Sequence, residues 1–361
     1  MMRDLVSIGT ACGALQFDPA VGNIPRLSFH WAGRSFEPLY AAPWREEPAT
    51  RALPGLSPAE CRLAGDFFCA PFAAAADPDV PAHGWTANSP WRVEVHEPHA
   101  IRSVLARDVS GARITKRLEI AKDAPLLYQE HGIDGGEGVL PVAHHPMLHL
   151  SGRGRFFTSR KRAALTFAEV FEPGRSCLAY PTRGTDLRRM AGAAGRTVDL
   201  SRWPIGRRNE DFVTLVEAPD AALGWSAVIR EDEDDIVFFL KDPSVLPVTM
   251  LWFSNGGRDH APWNGRVVGV TGIEDGCCPG SAGEAAAAAA NPVAAEGVAT
   301  GLPLAAGRSH VVRHVMGALP RPEGWADIAN ISVEGDRLTI SDSAGRRIDL
   351  PWRRDFLKGH E

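Results

Sequence analysis

The chain has 361 residues, of which 44% are hydrophobic and 23% are charged, values typical of a globular protein with a large core. A formal net charge of −5 argues against a surface that binds nucleic acid or an anionic membrane. No stretch approaches the ~18 consecutive apolar residues of a transmembrane helix, and the N-terminus lacks the charged region and cleavage site of a secretory signal.

Short strands separated by turns dominate the first half of the chain. Ala100–Val109 and Arg113–Ala121 have the pattern of a hairpin across Ser110 and Gly111. Leu126–Ile133 follows as a further strand. Long helical periodicity is nearly absent from this half, so the pattern favours an all-β protein.

The second half continues in the same way. Asp235–Leu240 and Val245–Phe253 are apolar strands, and a hairpin is predicted at Arg337–Ser341 and Arg346–Leu350. The acidic run Glu231–Asp235 is interpreted as a solvated loop. The clearest helix is predicted at Ala282–Ala290, in an alanine run that ends at Asn291 and Pro292.

The six cysteines show neither a CxxC motif nor a regular spacing. Cys277 and Cys278 are adjacent, which is poor geometry for a mutual disulfide. A chain of this length does not need disulfides for stability, so we expect reduced thiols and a cytoplasmic location.

The segment LPVAHHPMLHL, Leu140–Leu150, places three histidines in a strand-like stretch. His144 and His145 would point to opposite faces of a strand. His145 and His149 would share a face but stand roughly 13 Å apart at ~3.3 Å per residue, too far for one ion. We therefore predict no metal and no other cofactor. A single histidine in such a run is also typical of a buried core residue.

Four polar, glycine-rich stretches interrupt the strand pattern and are candidates for a functional site. One is the histidine segment just described. The other three are Gly65–Trp91, which contains His83 and Gly84, then Leu251–Arg266, and finally Gly269–Cys278, which contains Glu274. Each stretch taken alone is also compatible with ordinary loops and turns.

The order of these stretches resembles the aldose 1-epimerase (galactose mutarotase-like) superfamily. His83-Gly84, preceded by GDFFCAPF, resembles its His-Gly motif, and His145-Pro146-Met147-Leu148 resembles its His-Pro-aromatic strand. Gly272-Ile273-Glu274 looks like its valine-Glu-Pro strand end, with Asp275 in place of proline. NPVAAEGVATGLPLAAGRSH is similar to the segment leading into its last strands. The resemblance extends from about residue 10 to about residue 320.

The resemblance implies an all-β, antiparallel β-supersandwich with few short helices. We expect one domain over residues 1–361, with a C-terminal hairpin extension at about 321–361. It also implies roles at the catalytic site. Glu274 would take the proton of the anomeric hydroxyl, His145 would protonate the ring oxygen, and His83 would hold a sugar oxygen or polarise the ring. A carboxylate and an imidazole on opposite sides of the sugar suit this ring opening.

Two departures from the family pattern affect the predicted substrate site. The arginine expected before His83 has only an imprecise counterpart, Arg62, and the acidic residue expected before Glu274 has only Asp211 as a tentative one. No arginine follows His83 closely, which disfavours a phosphosugar. We predict that substrate contacts come from eight other residues: Arg258, His260, Trp263, Asn255, Asn88, Trp85, Asp66 and Asp275.

The leading hypothesis is a mutarotase-like enzyme, monomeric or homodimeric, that acts on a monosaccharide or a sugar acid. A non-catalytic carbohydrate-binding protein on the same scaffold is the alternative, favoured by the ten tryptophans. A third hypothesis is an acidic sugar substrate, with Arg258 and Arg266 binding its carboxylate.

Overall fold

The computed structural model describes residues 5–50 and 53–359, so the first four residues of the N-terminal segment and the last two of the C-terminal extension lie outside the described residues. Strands dominate the described chain, as the sequence predicts. In chain order they are β1 (Val6–Thr10), β2 (Gly13–Asp18), β3 (Asn23–Trp31), β4 (Arg34–Phe36), β5 (Phe68–Cys69), β6 (Trp91–Glu97), β7 (Ala100–Leu105), β8 (Ala112–Ile120), β9 (Leu126–Gly135), β10 (Gly138–Leu140), β11 (Val142–His144), β12 (Met147–His149), β13 (Gly154–Thr158), β14 (Lys161–Thr166), β15 (Thr182–Gly184), β16 (Met190–Ala191), β17 (Thr197–Val198), β18 (Arg202–Trp203), β19 (Asn209–Glu217), β20 (Gly224–Arg230), β21 (Asp235–Lys241), β22 (Val248–Asn255), β23 (Val270–Cys277), β24 (Leu302–Leu304), β25 (Ser309–Pro320), β26 (Asn330–Glu334), β27 (Arg337–Ser341) and β28 (Arg347–Pro351).

The α-helices of the described chain are short: α1 (Pro58–Cys61), α2 (Gly84–Asn88) and α3 (Glu284–Ala287). The helix predicted at Ala282–Ala290 is therefore too long. The side-chain amide of Asn291 donates to the carbonyls of Ala286 and Ala289, at 3.0 and 3.1 Å, and this caps the helix early. Alanine propensity alone does not extend such a short helix, because helices depend mainly on tertiary packing.

Two large antiparallel sheets form the body of the protein. We call the eight-stranded one the site sheet; its order is β15-β14-β19-β22-β23-β11-β5, with β12 also paired to β23. The nine-stranded back sheet has the order β18-β13-β20-β21-β25-β9-β8-β7-β6. Leu251 and Ile273 of the site sheet share one hydrophobic core with Leu127 and Phe239 of the back sheet. The sheets therefore pack face to face as a sandwich.

The outer face of each sheet is also covered. On the site sheet, Met250 and Trp252 belong to a second apolar cluster with Trp44 and Phe72 from the loops above it. On the back sheet, Phe238 packs with residues of the C-terminal strands β26–β28. Because both faces are buried, strands such as β21 and β22 read as nearly continuous apolar runs rather than as alternating patterns.

The strand predictions are confirmed with adjusted boundaries. β7 pairs with β8, although β7 ends at Leu105, and β27 pairs with β28. β21 and β22 are both present but belong to different sheets, so the turn between them is a crossover between layers. The C-terminal extension contains three paired strands rather than a simple hairpin.

All six cysteines lie in the described part of the chain, and no disulfide is formed there. Of the helices in residues 5–50 and 53–359, none has the length and hydropathy needed to cross a membrane.

The prediction of a solvated acidic loop is wrong at Asp235. Residues 231–234 form a turn, but Asp235 is 1% exposed and its carboxylate binds the guanidinium of Arg230, which also donates to the carbonyl of His149 at 2.8 Å. The turn reverses the chain, so the last carboxylate of the run enters the sheet opposite a buried arginine.

We expect Asp235→Asn to lower the free energy of unfolding by about 3–5 kcal/mol, because it leaves the Arg230 guanidinium buried without a counter-charge. Asp234 in the same run forms ion pairs whose side chains are substantially exposed, so Asp234→Asn is the matched control and should cost less than about 1 kcal/mol. Urea unfolding of both variants measures the difference. If both variants lost the same free energy of unfolding, Asp235 would not be the buried counter-charge of Arg230.

Candidate active site

A cavity of about 380 Å³ lies on the outer face of the site sheet. Its polar wall includes His83, His145, Glu274 and Arg258, which come from four separate segments of the chain. Its apolar wall is largely aromatic and is formed by Phe67, Phe72, Phe171, Phe212, Trp252 and Trp263. All four stretches that the sequence analysis selected, including the histidine segment, therefore contribute residues to one cavity.

His83 is held at the cavity by unusual backbone geometry. Its φ is +66°, in the left-handed region, and its N–H donates to the carbonyl of Ala73 at 2.8 Å. Gly84 follows with φ +70°, and a Cβ there would lie 2.0 Å from the carbonyl oxygen of Ala70. Only glycine fits at that position. The His-Gly pair is thus a structural requirement of the turn that presents the imidazole.

His145 lies at a break between β11 and β12, where Pro146 cannot continue the hydrogen-bond ladder. Its backbone N–H donates to the carbonyl of Phe67 at 2.9 Å and faces a carboxylate oxygen of Asp66 at 3.2 Å. The Phe67 ring stacks on its imidazole, with ring centroids 4.5 Å apart. Backbone and side chain are therefore both fixed, which orients the ring toward the cavity.

Glu274 projects from β23 into the same cavity. Its Oε1 lies 3.3 Å from Nε2 of His145, and the side chain is 1% exposed. Neither carboxyl oxygen has a hydrogen-bond partner in the part of the chain that the structure describes, and Nδ1 of His145 also lacks one. Buried polar atoms are normally paired, so three unpartnered ones in two residues that line a cavity mark it as a place for a polar ligand.

Burial shifts the acid–base properties of all three groups toward their neutral forms. It raises the pKa of Glu274 well above its ordinary value of 4.5 and lowers the pKa of His145 well below 6.5, with the nearby His83 adding to the second effect. Burial and the Arg258 guanidinium lower the pKa of His83 to about 4. Both shifts favour the uncharged forms, a carboxylic acid at Glu274 and a neutral imidazole at His145.

Arg258 forms the opposite part of the polar wall. Its guanidinium lies over the Trp263 ring, 4.3 Å from the centroid, and its Nε is 2.9 Å from Oε1 of Glu210. Glu210 is fully buried and accepts hydrogen bonds from the Trp252 indole and the Ser254 hydroxyl, at 2.6 and 2.8 Å. Arginine, glutamate and two tryptophans thus form one connected unit beside the cavity.

Comparison with solved structures shows the same architecture in proteins of very different sequence. A candidate aldose 1-epimerase from Escherichia coli K12 matches with a TM-score of 0.60 and 13% identity, covering 88% of this chain and 99% of that one. A galactose mutarotase related enzyme from Lactobacillus acidophilus matches at 0.56 and 12%, covering 89% and 99%. A galactose mutarotase-like protein from Lactobacillus casei ATCC 334 matches at 0.53 and 10%, covering 88% and 100%.

This chain has the galactose mutarotase-like fold. The fold predicted from the ordered motifs is therefore confirmed. No family model matches the sequence, and no curated protein matches it either. At such low identity the likeness concerns the fold alone, so the argument for function rests on the site.

Several residues predicted to bind substrate lie elsewhere in the galactose mutarotase-like fold. Asp275 follows Glu274 on β23 and therefore points to the opposite face, into the core between the sheets. There it contacts Lys241 at 2.8 Å and accepts hydrogen bonds from Thr249 and His314 at 2.6 and 3.0 Å. Asp66 is likewise buried and accepts a hydrogen bond from Gln129 at 2.6 Å. The structure gives both carboxylates internal partners instead of a place on the cavity wall.

Two predicted substrate-binding asparagines in the surrounding loops also form hydrogen bonds within the protein. Asn88 bonds the backbone of Ala59, Ala82 and Gly84 and so fixes the loop around His83. Asn255 donates to the carbonyl of Gly206 at 2.8 Å and faces a second cavity. These side chains stabilise the loops through hydrogen bonds to the backbone. From the sequence alone, such polar loop residues look the same as residues that bind a ligand.

The other predicted contacts also lie outside the cavity wall. Trp85 carries the Arg107 guanidinium over its ring at 3.8 Å, and the His260 side chain is 58% exposed beside Glu172. Among the predicted substrate-binding residues, Arg258 and Trp263 are the two that line the cavity.

The two tentative family counterparts have structural roles. Arg62 pairs with the buried Asp18 at 2.7 Å. Asp211 accepts backbone hydrogen bonds from Cys177 and Leu178 at 2.9 Å. Neither lines the cavity.

Sequence analysis missed Glu210, Trp252 and most of the aromatic wall. Glu210 directly precedes Asp211 in the run NEDFV, where three polar residues lead directly into the apolar part of a strand, and this junction is the signal for a buried, paired carboxylate. Trp252 and the phenylalanines carry no such signal, because their pattern is that of ordinary core residues.

A polar cluster behind the site has some features of a metal site. One carboxylate oxygen of Asp66 and one ring nitrogen each of His144 and His314 lie within 4.8 Å of one another. The two imidazoles are stacked, however, with centroids 4.4 Å apart and an interplanar angle of 18°. Nitrogen lone pairs lie in the ring planes, so nearly parallel rings do not converge on one ion. We assign no metal here, and His144 packs against the rings of Phe68, His131 and His314.

We expect His83 and His145 to remain neutral as the pH falls to about 5, because burial lowers both pKa values below the ordinary 6.5. NMR of protein labelled with ¹³C at the histidine Cε1 position measures their titration. In urea the same nuclei should titrate near the ordinary value. Titration of both residues near pH 6.5 in the folded protein would show that the cavity is hydrated and the burial argument wrong.

Proposed function

We propose that this protein is an aldose 1-epimerase-like isomerase that interconverts the anomers of a monosaccharide by acid–base ring opening. One observation carries the proposal: the buried, unpartnered carboxyl group of Glu274 lies 3.3 Å from the imidazole of His145 at the wall of a cavity. A binding site has little use for a costly unpaired carboxyl group, whereas proton transfer requires one.

The cavity suits one sugar ring. Its volume of about 380 Å³ lies near the lower end of the range for small-molecule sites. Aromatic walls such as those of Trp252 and Trp263 can cover the apolar C–H face of a pyranose, while the polar wall meets its oxygen atoms. Fold neighbours that are described as aldose 1-epimerases or mutarotase-related proteins support the same substrate class.

The reaction needs one proton removed and one delivered at neighbouring atoms. The proton leaves the hydroxyl oxygen on C1, a C1=O double bond forms, and the bond between C1 and the ring oxygen breaks as that oxygen takes up a proton. Both oxygens are bonded to C1, so a side-by-side acid and base reach them together. The sequence-based expectation of groups on opposite sides of the ring is replaced by this adjacent geometry, since 3.3 Å leaves no room for a sugar between them.

The pair can work in either direction because it holds one transferable proton. With the proton on Glu274, the carboxyl group protonates the ring oxygen while neutral His145 takes the hydroxyl proton. With the proton on His145, the roles are those that the family resemblance implies. Ring closure after rotation about C1–C2 reverses each transfer, so the pair returns to its starting protonation state and each group serves the same sugar oxygen throughout one cycle.

His83 completes the polar wall as a neutral hydrogen-bonding group. Its ring centroid lies 5.1 Å from that of His145, and its Nδ1 is 3.4 Å from the Cys69 sulfur. Its Nε2 is then the nitrogen left to hold a sugar oxygen. The reaction as written involves no electron transfer and no covalent intermediate.

We expect Glu274→Gln to lower kcat/KM by about 10²–10⁴-fold, the usual contribution of a general acid or base. Polarimetry or NMR saturation transfer over a panel of aldoses measures anomer exchange. Glu130→Gln, which removes a carboxylate paired with Arg313 on the back sheet, is the control and should retain activity. Sugar binding without exchange in the wild type would favour the carbohydrate-binding alternative.

The pH profile of kcat/KM should have an acid limb and an alkaline limb, because activity needs the singly protonated pair. On the acid side, activity falls as His145 becomes protonated, well below pH 6.5; on the alkaline side, it falls as Glu274 loses its proton, well above pH 4.5. Initial rates from pH 4 to 10 measure both limbs. An acid limb centred at or above pH 6.5 would be inconsistent with a neutral His145.

A further inference from the structure

Arg258 combines a position in the cavity wall with donors that no protein group uses. Its side chain is 22% exposed and its Nε contacts Glu210 at 2.9 Å, but within the described ranges none of its N–H groups makes a hydrogen bond of good geometry. The contacts given for its ion pairs with Glu210 and Glu172 both involve Nε. A planar fork with open donors matches two neighbouring oxygen atoms of a ligand.

The charge of Arg258 is already compensated. Glu210 lies 2.9 Å away and is fully buried, and Glu172 lies 3.8 Å from the same nitrogen. A sugar carboxylate at this position would be a third carboxylate around one guanidinium. Two adjacent hydroxyl groups would instead use the open donors without adding charge.

Glu210 is also fixed more firmly than a surface partner would be. The Trp252 indole donates to Oε1 and the Ser254 hydroxyl to Oε2, and Trp252 itself lines the cavity. The carboxylate therefore holds both the cation and one aromatic wall of the cavity. It lies outside the set of residues that line the cavity.

We infer that Glu210 is a positioning and specificity-determining residue, which holds Arg258 to bind two neighbouring hydroxyls of an uncharged sugar and makes the cavity reject a sugar acid. The inference rests on the proposed function for its substrate, and it decides against the acidic-sugar hypothesis raised by the sequence. It assigns Glu210 no proton transfer, so its removal changes binding and selectivity more than turnover.

The decisive experiment compares sugars that differ only at C6, galactose with galacturonate and glucose with glucuronate. Affinity is measured by titration calorimetry and anomer exchange by NMR saturation transfer. The wild type should bind the uncharged member of the preferred pair at least about tenfold more tightly, as expected for an unfavourable charge interaction of about 1.4 kcal/mol.

Glu210→Gln keeps the shape of the side chain and removes the compensating charge. The ratio of uronate affinity to aldose affinity should rise at least about tenfold, because Arg258 then presents an uncompensated cation. For the uncharged aldose, KM should rise while kcat changes less than about threefold. Loss of a residue with only a structural role would weaken binding of the aldose and the uronate equally and would leave the ratio of their affinities unchanged.

Three variants make the result specific. Glu172→Gln removes the more distant carboxylate and should shift the ratio less than Glu210→Gln. Arg258→Met should abolish the preference and weaken binding of both sugars. Glu130→Gln, on the back sheet, should leave the ratio unchanged.

Two outcomes would overturn the inference: a wild type that binds the uronate more tightly, or a Glu210→Gln variant with unchanged selectivity. Failure of the proposed isomerase function would give a result that can be distinguished from these two. In that case no sugar exchanges its anomers, while the affinity ratios still decide the role of Glu210. If Glu210→Gln does not fold, the ratios for Glu172→Gln and Arg258→Met decide it.

Discussion

Two consecutive carboxylates on one strand have opposite environments, and the site depends on this contrast. Side chains alternate across a strand, so Glu274 faces the cavity and Asp275 the core between the sheets. Burial opposes ionisation of Asp275, but Lys241 and the hydrogen bond from His314 outweigh it and lower its pKa. Among the described residues, neither carboxyl oxygen of Glu274 has a hydrogen-bond partner, and burial raises the pKa of Glu274. The ion pairs of Asp275 anchor the strand, and the anchored strand holds the unpaired acid in place.

Such an arrangement costs stability. A buried polar group without a hydrogen-bond partner costs about 1–3 kcal/mol, and the left-handed conformation of His83 adds backbone strain. Both costs occur at the cavity, while elsewhere in the described core charged groups are mostly paired, as at Arg230 and Asp235. Unpaired buried atoms also occur elsewhere, as at His131 and His144, but at this cavity they belong to an acid and a base in contact with each other.

The same scaffold accommodates site residues from different segments. Here the cation at the cavity comes from the loop after β22 and its counter-charge from β19, because these neighbouring strands direct Glu210, Trp252 and Ser254 to one face. Function on this fold therefore follows the side chains at the cavity rather than the architecture.

Much of this could be predicted from the amino-acid order. Runs such as DIVFFL, turn residues such as Ser110 and Gly111, and the few helical patterns are sufficient for an all-β protein, because local periodicity and turn chemistry act over a few residues. The order of His83, His145 and Glu274 was sufficient to select the groups that meet at the cavity. Tertiary structure decided the rest. It sent β21 and β22 to different sheets, turned Asp275 inward, and placed Glu210 beside Arg258, because strand pairing brings together residues far apart in the chain and burial then decides which polar groups find partners.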